Sequence, residues 1–97
     1  VRIAQETQGY VILDEAYADF APKTGIEFAQ EKVIVTRTLS KSYSLAGIRF
    51  GFAVADAKLV REFVKVKDSY NCDVLSLSAA TAAISDQEYL AEVKAKI

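Results

Sequence analysis

Lys41 follows Thr38, Leu39 and Ser40, and Arg49 stands eight residues further on. A primary amine, two hydroxyls and a guanidinium therefore share one connection between two apolar runs. A deprotonated lysine amine attacks carbonyl carbons, and a guanidinium beside hydroxyls grips phosphate. Upstream, the apolar run Tyr10-Val11-Ile12-Leu13 ends in Asp14, with Tyr17 three residues on. A carboxylate can hold a protonated ring nitrogen, and a phenol can hydrogen-bond a ring oxygen. An aldehyde on a phosphorylated pyridine ring needs this set of groups, and pyridoxal 5'-phosphate is that molecule. In this reading Lys41 forms the imine, Asp14 meets the pyridinium nitrogen and Tyr17 meets the ring oxygen. Thr38, Ser40 and Arg49 meet the phosphate. The lysine amine, freed by imine exchange, is also the base that moves the substrate α-proton.

Each residue has a plainer use. Lys41 could be a surface lysine, Asp14 a turn cap, Tyr17 a packing aromatic, and Thr38 and Ser40 local backbone partners. A capping aspartate does not explain Tyr17 and Lys41, so the set as a whole favours the chemistry. Glu15 points away from Asp14 in an extended segment and reads as structural or loop-anchoring. Arg37 has no readable role, and Gly47 offers a place for the chain to turn back beneath the cofactor. Tyr10, Tyr43, Tyr70 and Tyr89 are left to packing.

Two runs carry a resemblance: Asp14-Glu15-Ala16-Tyr17-Ala18-Asp19-Phe20, and Arg37-Thr38-Leu39-Ser40-Lys41-Ser42-Tyr43-Ser44-Leu45-Ala46-Gly47-Ile48-Arg49-Phe50-Gly51. They resemble the core of pyridoxal-phosphate aminotransferases of fold type I, and most closely the branch acting on histidinol phosphate. The resemblance implies that residues 1–97 are the central part of the large, cofactor-binding domain. It implies amino transfer between histidinol phosphate and 2-oxoglutarate in histidine biosynthesis, with small-molecule donor and acceptor. It also implies that the family's phosphate loop, stacking aromatic and ring-oxygen asparagine lie upstream, and its substrate-carboxylate arginine downstream. A related enzyme, such as threonine-phosphate decarboxylase or an aromatic aminotransferase, carries similar motifs. A non-catalytic truncated module that self-associates is a further alternative. A generic phosphate-binding domain would use Arg49 but not Lys41.

Composition narrows the field. The chain has 97 residues, enough for one small domain at most, and is 52% hydrophobic, high for a soluble domain. Val1 is not methionine, and the last helical pattern lacks a stop signal, so both ends read as points within a longer polypeptide. Net charge is −1, with acids and bases interspersed, so neither nucleic acid nor a membrane surface is expected as a partner. The single Cys72 excludes an internal disulfide, fits the cytoplasm and reads as a small buried hydrophobe. With no histidine, Ser-His and Cys-His catalysis are excluded and no metal is expected. A homodimer or a self-associating segment is the expected state.

The elements that must position these groups follow from pattern. Val1–Gln8 reads as a helix tail closed by Gly9. Tyr10–Leu13 reads as a strand buried on both faces, as in a parallel sheet, and Val33–Thr36 as a second. Between them, residues 15–32 are a connection with one helical turn near 27–30. Phe50–Ala55 is a third strand, with Gly51 suited to a close backbone approach. Asp56 can cap a helix to about Tyr70, with Leu59, Val60, Phe63, Val64 and Val66 as its apolar face. Ser76–Ile84 is helical, and Asp86 can cap a last helix with Tyr89, Leu90, Val93 and Ile97 as its stripe. The order suits an α/β fold, a piece of a three-layer domain whose site lies past the carboxyl ends of its strands.

Overall fold

Residues 2–96 are described by the computed structural model. A short helix, α1 (Arg2–Glu6), leads into β1 (Val11–Asp14), which lies parallel to β2 (Val33–Thr38). β3 (Gly51–Val54) pairs antiparallel on the other side of β2, so the sheet order is β1-β2-β3. The β-branched run at the start of β2 suits the central position, and Val35 is 0% exposed. β2 runs two residues past the expected end at Thr36, because Arg37 and Thr38 find partners in Phe52 and Gly51.

β1 is parallel as expected but is not buried on both faces. Ile12 is 67% exposed. β1 is an edge strand, and no layer among the described residues covers the Ile12 side. Gly51 does mark a close approach: a Cβ there would lie 2.8 Å from the Arg37 carbonyl oxygen. Gly47 does not carry the turn expected of it. The left-handed positions in this loop are Ser44 (φ 56°) and Arg49 (φ 53°), and no glycine has positive φ among the described residues. The connection between β1 and β2 holds two short 3-10 turns, Ala18–Phe20 and Ile26–Phe28, the second close to the helical turn expected there.

Three helices follow. Asp56 accepts the Lys58 amide at 2.8 Å and starts α2 (Ala57–Val66). α2 stops four residues short of Tyr70, because Lys67, Asp68 and Ser69 add nothing to the apolar stripe and Lys67 turns extended. Asp73 accepts the Leu75 and Ser76 amides, both at 2.9 Å, and starts α3 (Val74–Ser85) two residues before the expected beginning. Asp86 accepts the Tyr89 amide at 3.0 Å and starts α4 (Gln87–Ala95), as the sequence predicts. Leu90 is buried while Tyr89 is exposed, and Ile97 lies outside the described residues. Cys72 is half-buried rather than a core residue.

The core is small: Ile34, Val35 and Leu39 around β2, with Ala80 and Leu90 from the helices. The apolar stripe of α2, including Phe63 and Val64, faces solvent. The molecule is flat, 40 × 35 × 18 Å, with a radius of gyration of 15.0 Å. A compact domain of similar length has about 13 Å. No helix among the described residues is long and apolar enough to cross a membrane.

Candidate active site

Pleating and register sort the candidate residues into two groups. Asp14 is the partner of Thr36, so their side chains share a face, and Thr38, two residues on, shares it too. Arg37 lies on the opposite face with Val35. The Glu15 amide donates to the Thr36 carbonyl at 2.9 Å and continues the β1 path, which puts Glu15 on the Arg37 side. β1 and β2 are parallel, so their carboxyl ends reach one edge of the sheet. β3 starts at that same edge, with Gly51 opposite Thr38. Asp14, the loop after Thr38 and Arg49 are thus brought to the place where open α/β sheets bind ligands.

The loop is held by its backbone and by two buried side chains. The Leu39 amide donates to the Phe50 carbonyl at 3.2 Å, and the Leu45 amide to the Leu39 carbonyl at 3.1 Å. Leu39 and Ser42 are each only 1% exposed. Lys41 lies between these two anchors and is exposed. Its Nζ sits 5.4 Å from the centre of the Tyr17 ring, a cation–π contact that brings together residues from two connections. Apart from the Tyr17 ring, Lys41 stands open to solvent.

Asp14 does cap its turn: one carboxylate oxygen accepts the Ala16 amide at 3.0 Å. The Thr38 hydroxyl lies 3.0 Å from that of Ser40 and 3.3 Å from the Phe50 carbonyl oxygen, and the Ser40 amide donates to it at 3.1 Å. The local reading of these residues therefore holds too. Arg49 donates to the Ala46 carbonyl at 3.0 Å. Among the described residues Asp14, Lys41 and Arg49 form no ion pair. One edge thus carries an amine, a carboxylate, a phenol, two hydroxyls and a guanidinium. As a donor set it fits pyridoxal phosphate.

The opposite face is the reverse in character. Arg37 donates through Nε to Glu15 at 2.9 Å, through one Nη to Asp19 at 3.0 Å, and through the other to the Thr24 hydroxyl at 2.8 Å. Glu15 also accepts the Thr24 hydroxyl at 2.8 Å and the Gly25 amide. The Ser42 hydroxyl donates to the second oxygen of Asp19. Burial opposes ionisation of Glu15, but the Gly25 amide, the Thr24 hydroxyl and the Arg37 guanidinium outweigh it and hold the carboxyl below its ordinary value. Glu15 is therefore the loop anchor that its direction implied, and Arg37 gains a role. Asp19 and Ser42 had no functional reading in the sequence. The signal available was an arginine inside an apolar strand, which needs a carboxylate near it.

No group of residues able to hold a metal ion occurs among the described residues. A family model described as aminotransferase class I and II matches residues 1–97. The histidinol-phosphate aminotransferase of Rhodopirellula baltica is 57% identical over 89 residues, covering 90% of this chain and 25% of that protein. That of Geotalea daltonii is 48% identical over 97 residues, covering 98% of this chain and 28% of that protein. The crystal structure of histidinol-phosphate aminotransferase from Sinorhizobium meliloti in complex with pyridoxal-5'-phosphate matches with a TM-score of 0.83. It is 38% identical and covers 90% of this chain and 25% of that one. The chain thus spans about a quarter of the length of these relatives.

Proposed function

The chain belongs to the aminotransferase class I and II family, and from that premise we propose that it supplies the cofactor-anchoring edge of a pyridoxal-phosphate enzyme. Lys41 anchors the cofactor through Nζ. The whole protein exchanges an amino group between histidinol phosphate and 2-oxoglutarate, in histidine biosynthesis and in the cytoplasm, as a homodimer. The relatives' names support the substrate. The observation that carries the cofactor reading is the meeting of Lys41 and Tyr17 at the edge where Asp14 and Thr38 share a face.

When bound, pyridoxal phosphate supplies an electron sink for negative charge at the substrate α-carbon. Asp14 keeps a proton on the ring nitrogen. Tyr17 donates its phenol hydrogen to the ring oxygen. Arg49 offers parallel N–H donors to the phosphate, and Thr38 and Ser40 add hydroxyls once they exchange their mutual bond for it. The Nζ of Lys41 takes the α-proton and returns it. The short, closed loop keeps that atom within reach.

Borohydride reduction of the whole protein with pyridoxal phosphate, followed by peptide mapping, should label Lys41. A label on Lys32 or Lys58 with Lys41 clean would overturn the reading. Turnover with histidinol phosphate and 2-oxoglutarate tests the substrate. Release of carbon dioxide from threonine phosphate, or a preference for aromatic amino acids, would move the assignment to those reactions.

The exposed side chains of Ile12, Phe63 and Val64 favour a second property of residues 1–97 taken alone. Such a chain covers its open sheet edge and apolar helix face by self-association and shows no turnover. Light scattering at micromolar concentration, with a transamination assay, checks both parts. A monodisperse monomer would contradict the first, and measurable turnover the second.

A further inference from the structure

Four side chains that take no direct part in the proposed chemistry stand one or two positions from four that do. Glu15 follows Asp14, Asp19 lies two beyond Tyr17, Arg37 precedes Thr38, and Ser42 follows Lys41. They join into one chain of bonds behind the site. Ser42 donates to Asp19, Arg37 pairs with Asp19 at 3.0 Å, and Arg37 pairs with Glu15 at 2.9 Å. The side chains of Glu15, Arg37 and Asp19 are only 9%, 15% and 19% exposed, and Ser42 is 1% exposed.

We propose that Ser42, Asp19, Arg37 and Glu15 form a positioning strut that fixes the Lys41 loop against the segment carrying Asp14 and Tyr17. This rests on the reading of Lys41 as the anchor. The Lys41 loop leaves β2, whereas Asp14 and Tyr17 follow β1, and the sheet register ties the two only as far as Thr36 and Asp14. Beyond that point the Ser42–Asp19 bond ties the Lys41 loop to the β1 connection, while Arg37, at the end of β2, bonds to Asp19, Glu15 and Thr24 of the same connection. Asp19 uses one oxygen for Ser42 and the other for Arg37. One rigid guanidinium bonds Glu15 through Nε and Asp19 through an Nη, which fixes Asp19 relative to Glu15. A loop buried only at Leu39 and Ser42 loses one of its two anchors if this bond breaks. An error of about 1 Å at a reacting group can reduce rate by about a hundredfold.

The nearly isosteric variants Ser42→Ala and Asp19→Asn, alone and combined, test this in the whole protein. The readouts are the Kd for pyridoxal phosphate by absorbance titration, the pH at which the bound cofactor's absorbance changes, and the rate of acylation of Lys41 without cofactor. Thermal unfolding is recorded for each. The strut predicts at least a tenfold weaker Kd in each single variant, a displaced absorbance transition and an altered Lys41 acylation rate. The double variant should be no worse than the more affected single one. If borohydride labels Lys41 in the wild type but both variants keep Kd within twofold and an unmoved pH transition, the strut is wrong and the functional reading stands. A fall in thermal stability with Kd and pH transition unmoved likewise overturns it, since that is what a purely structural role gives. If Lys41 is not labelled in the wild type, the functional reading falls and the strut falls with it.

Discussion

The two faces at the carboxyl edge of the sheet come from the same two stretches of chain, yet they treat their polar groups in opposite ways. On one face Asp14, Tyr17, Lys41 and Arg49 are exposed and lightly engaged. On the other, Glu15, Asp19, Arg37 and Ser42 are half-buried or buried, and each is bonded to another. Alternation along extended backbone divides Asp14 from Glu15 and Arg37 from Thr38, and the turns that carry Tyr17 and Asp19, and Lys41 and Ser42, do the rest. The difference teaches which face can do chemistry. A group already satisfied by the protein has little left for a ligand, whereas an exposed amine without an ion pair and a carboxylate with one local bond can take one up.

The comparison makes a sharp prediction for the open face: substitutions there should remove chemistry and leave stability nearly alone. Lys41→Ala in the whole protein should show the largest effect, a loss of turnover of about 10⁴-fold or more. Its unfolding free energy should change by less than about 0.5 kcal/mol, as for other exposed positions. Turnover within tenfold of wild type would break the comparison at its centre. Asp14→Asn should reduce turnover by about a thousandfold, roughly 4 kcal/mol of transition-state stabilisation, with the fold nearly intact. Wild-type-like kinetics there would return Asp14 to its role as a turn cap.

On the committed face, substitutions should lower stability directly as well as loosen the site. Arg37→Gln leaves Glu15 and Asp19 without their cation, and chemical denaturation should show a loss of about 3 kcal/mol. A loss under about 0.5 kcal/mol would mean that the pairing contributes little. A smaller effect is set by pH. The folded chain holds the Glu15 carboxyl below its ordinary value of 4.5, so the unfolded chain protonates first as pH falls. The contribution of Glu15 is therefore complete above that value and is lost as pH drops through the folded-state value. Unfolding free energy followed from about pH 7 to about pH 3 should fall more steeply in wild type than in Glu15→Gln. Equal slopes would refute this. The smallest effect belongs to Tyr17→Phe. It should raise the pH at which the bound cofactor's absorbance changes by about one unit, the worth of one hydrogen bond to a charged group, and leave packing untouched. An unmoved titration would leave Tyr17 as the cation–π partner of Lys41 alone.

Much was legible in the chain. The three strands, the caps Asp56 and Asp86, and the close approach at Gly51 follow from local pattern. So does the placing of Asp14 and the Lys41 loop at strand ends. The extent of β1 burial was not legible. A continuous apolar run says that a strand can be buried, but which layers cover it depends on residues far away in sequence. The turn at Gly47 was misread for a related reason. Glycine permits positive φ, but closing this loop onto Phe50 and Leu39 puts that conformation at Ser44 and Arg49 instead.

The sequence by itself determined the chemical inventory and its order: an amine, a carboxylate, a phenol and a guanidinium, each just past an apolar run. Those follow from side-chain type and spacing, which need no partner. Only the tertiary structure decided who meets whom. Arg37 had no readable role because its partners lie 22 and 18 residues upstream. Ser42 carries no functional reading in the sequence because Asp19 lies 23 residues away. Alternation assigns each residue to a face, but the register between two strands decides which residues of that face become neighbours, and that register exists only once the sheet has formed.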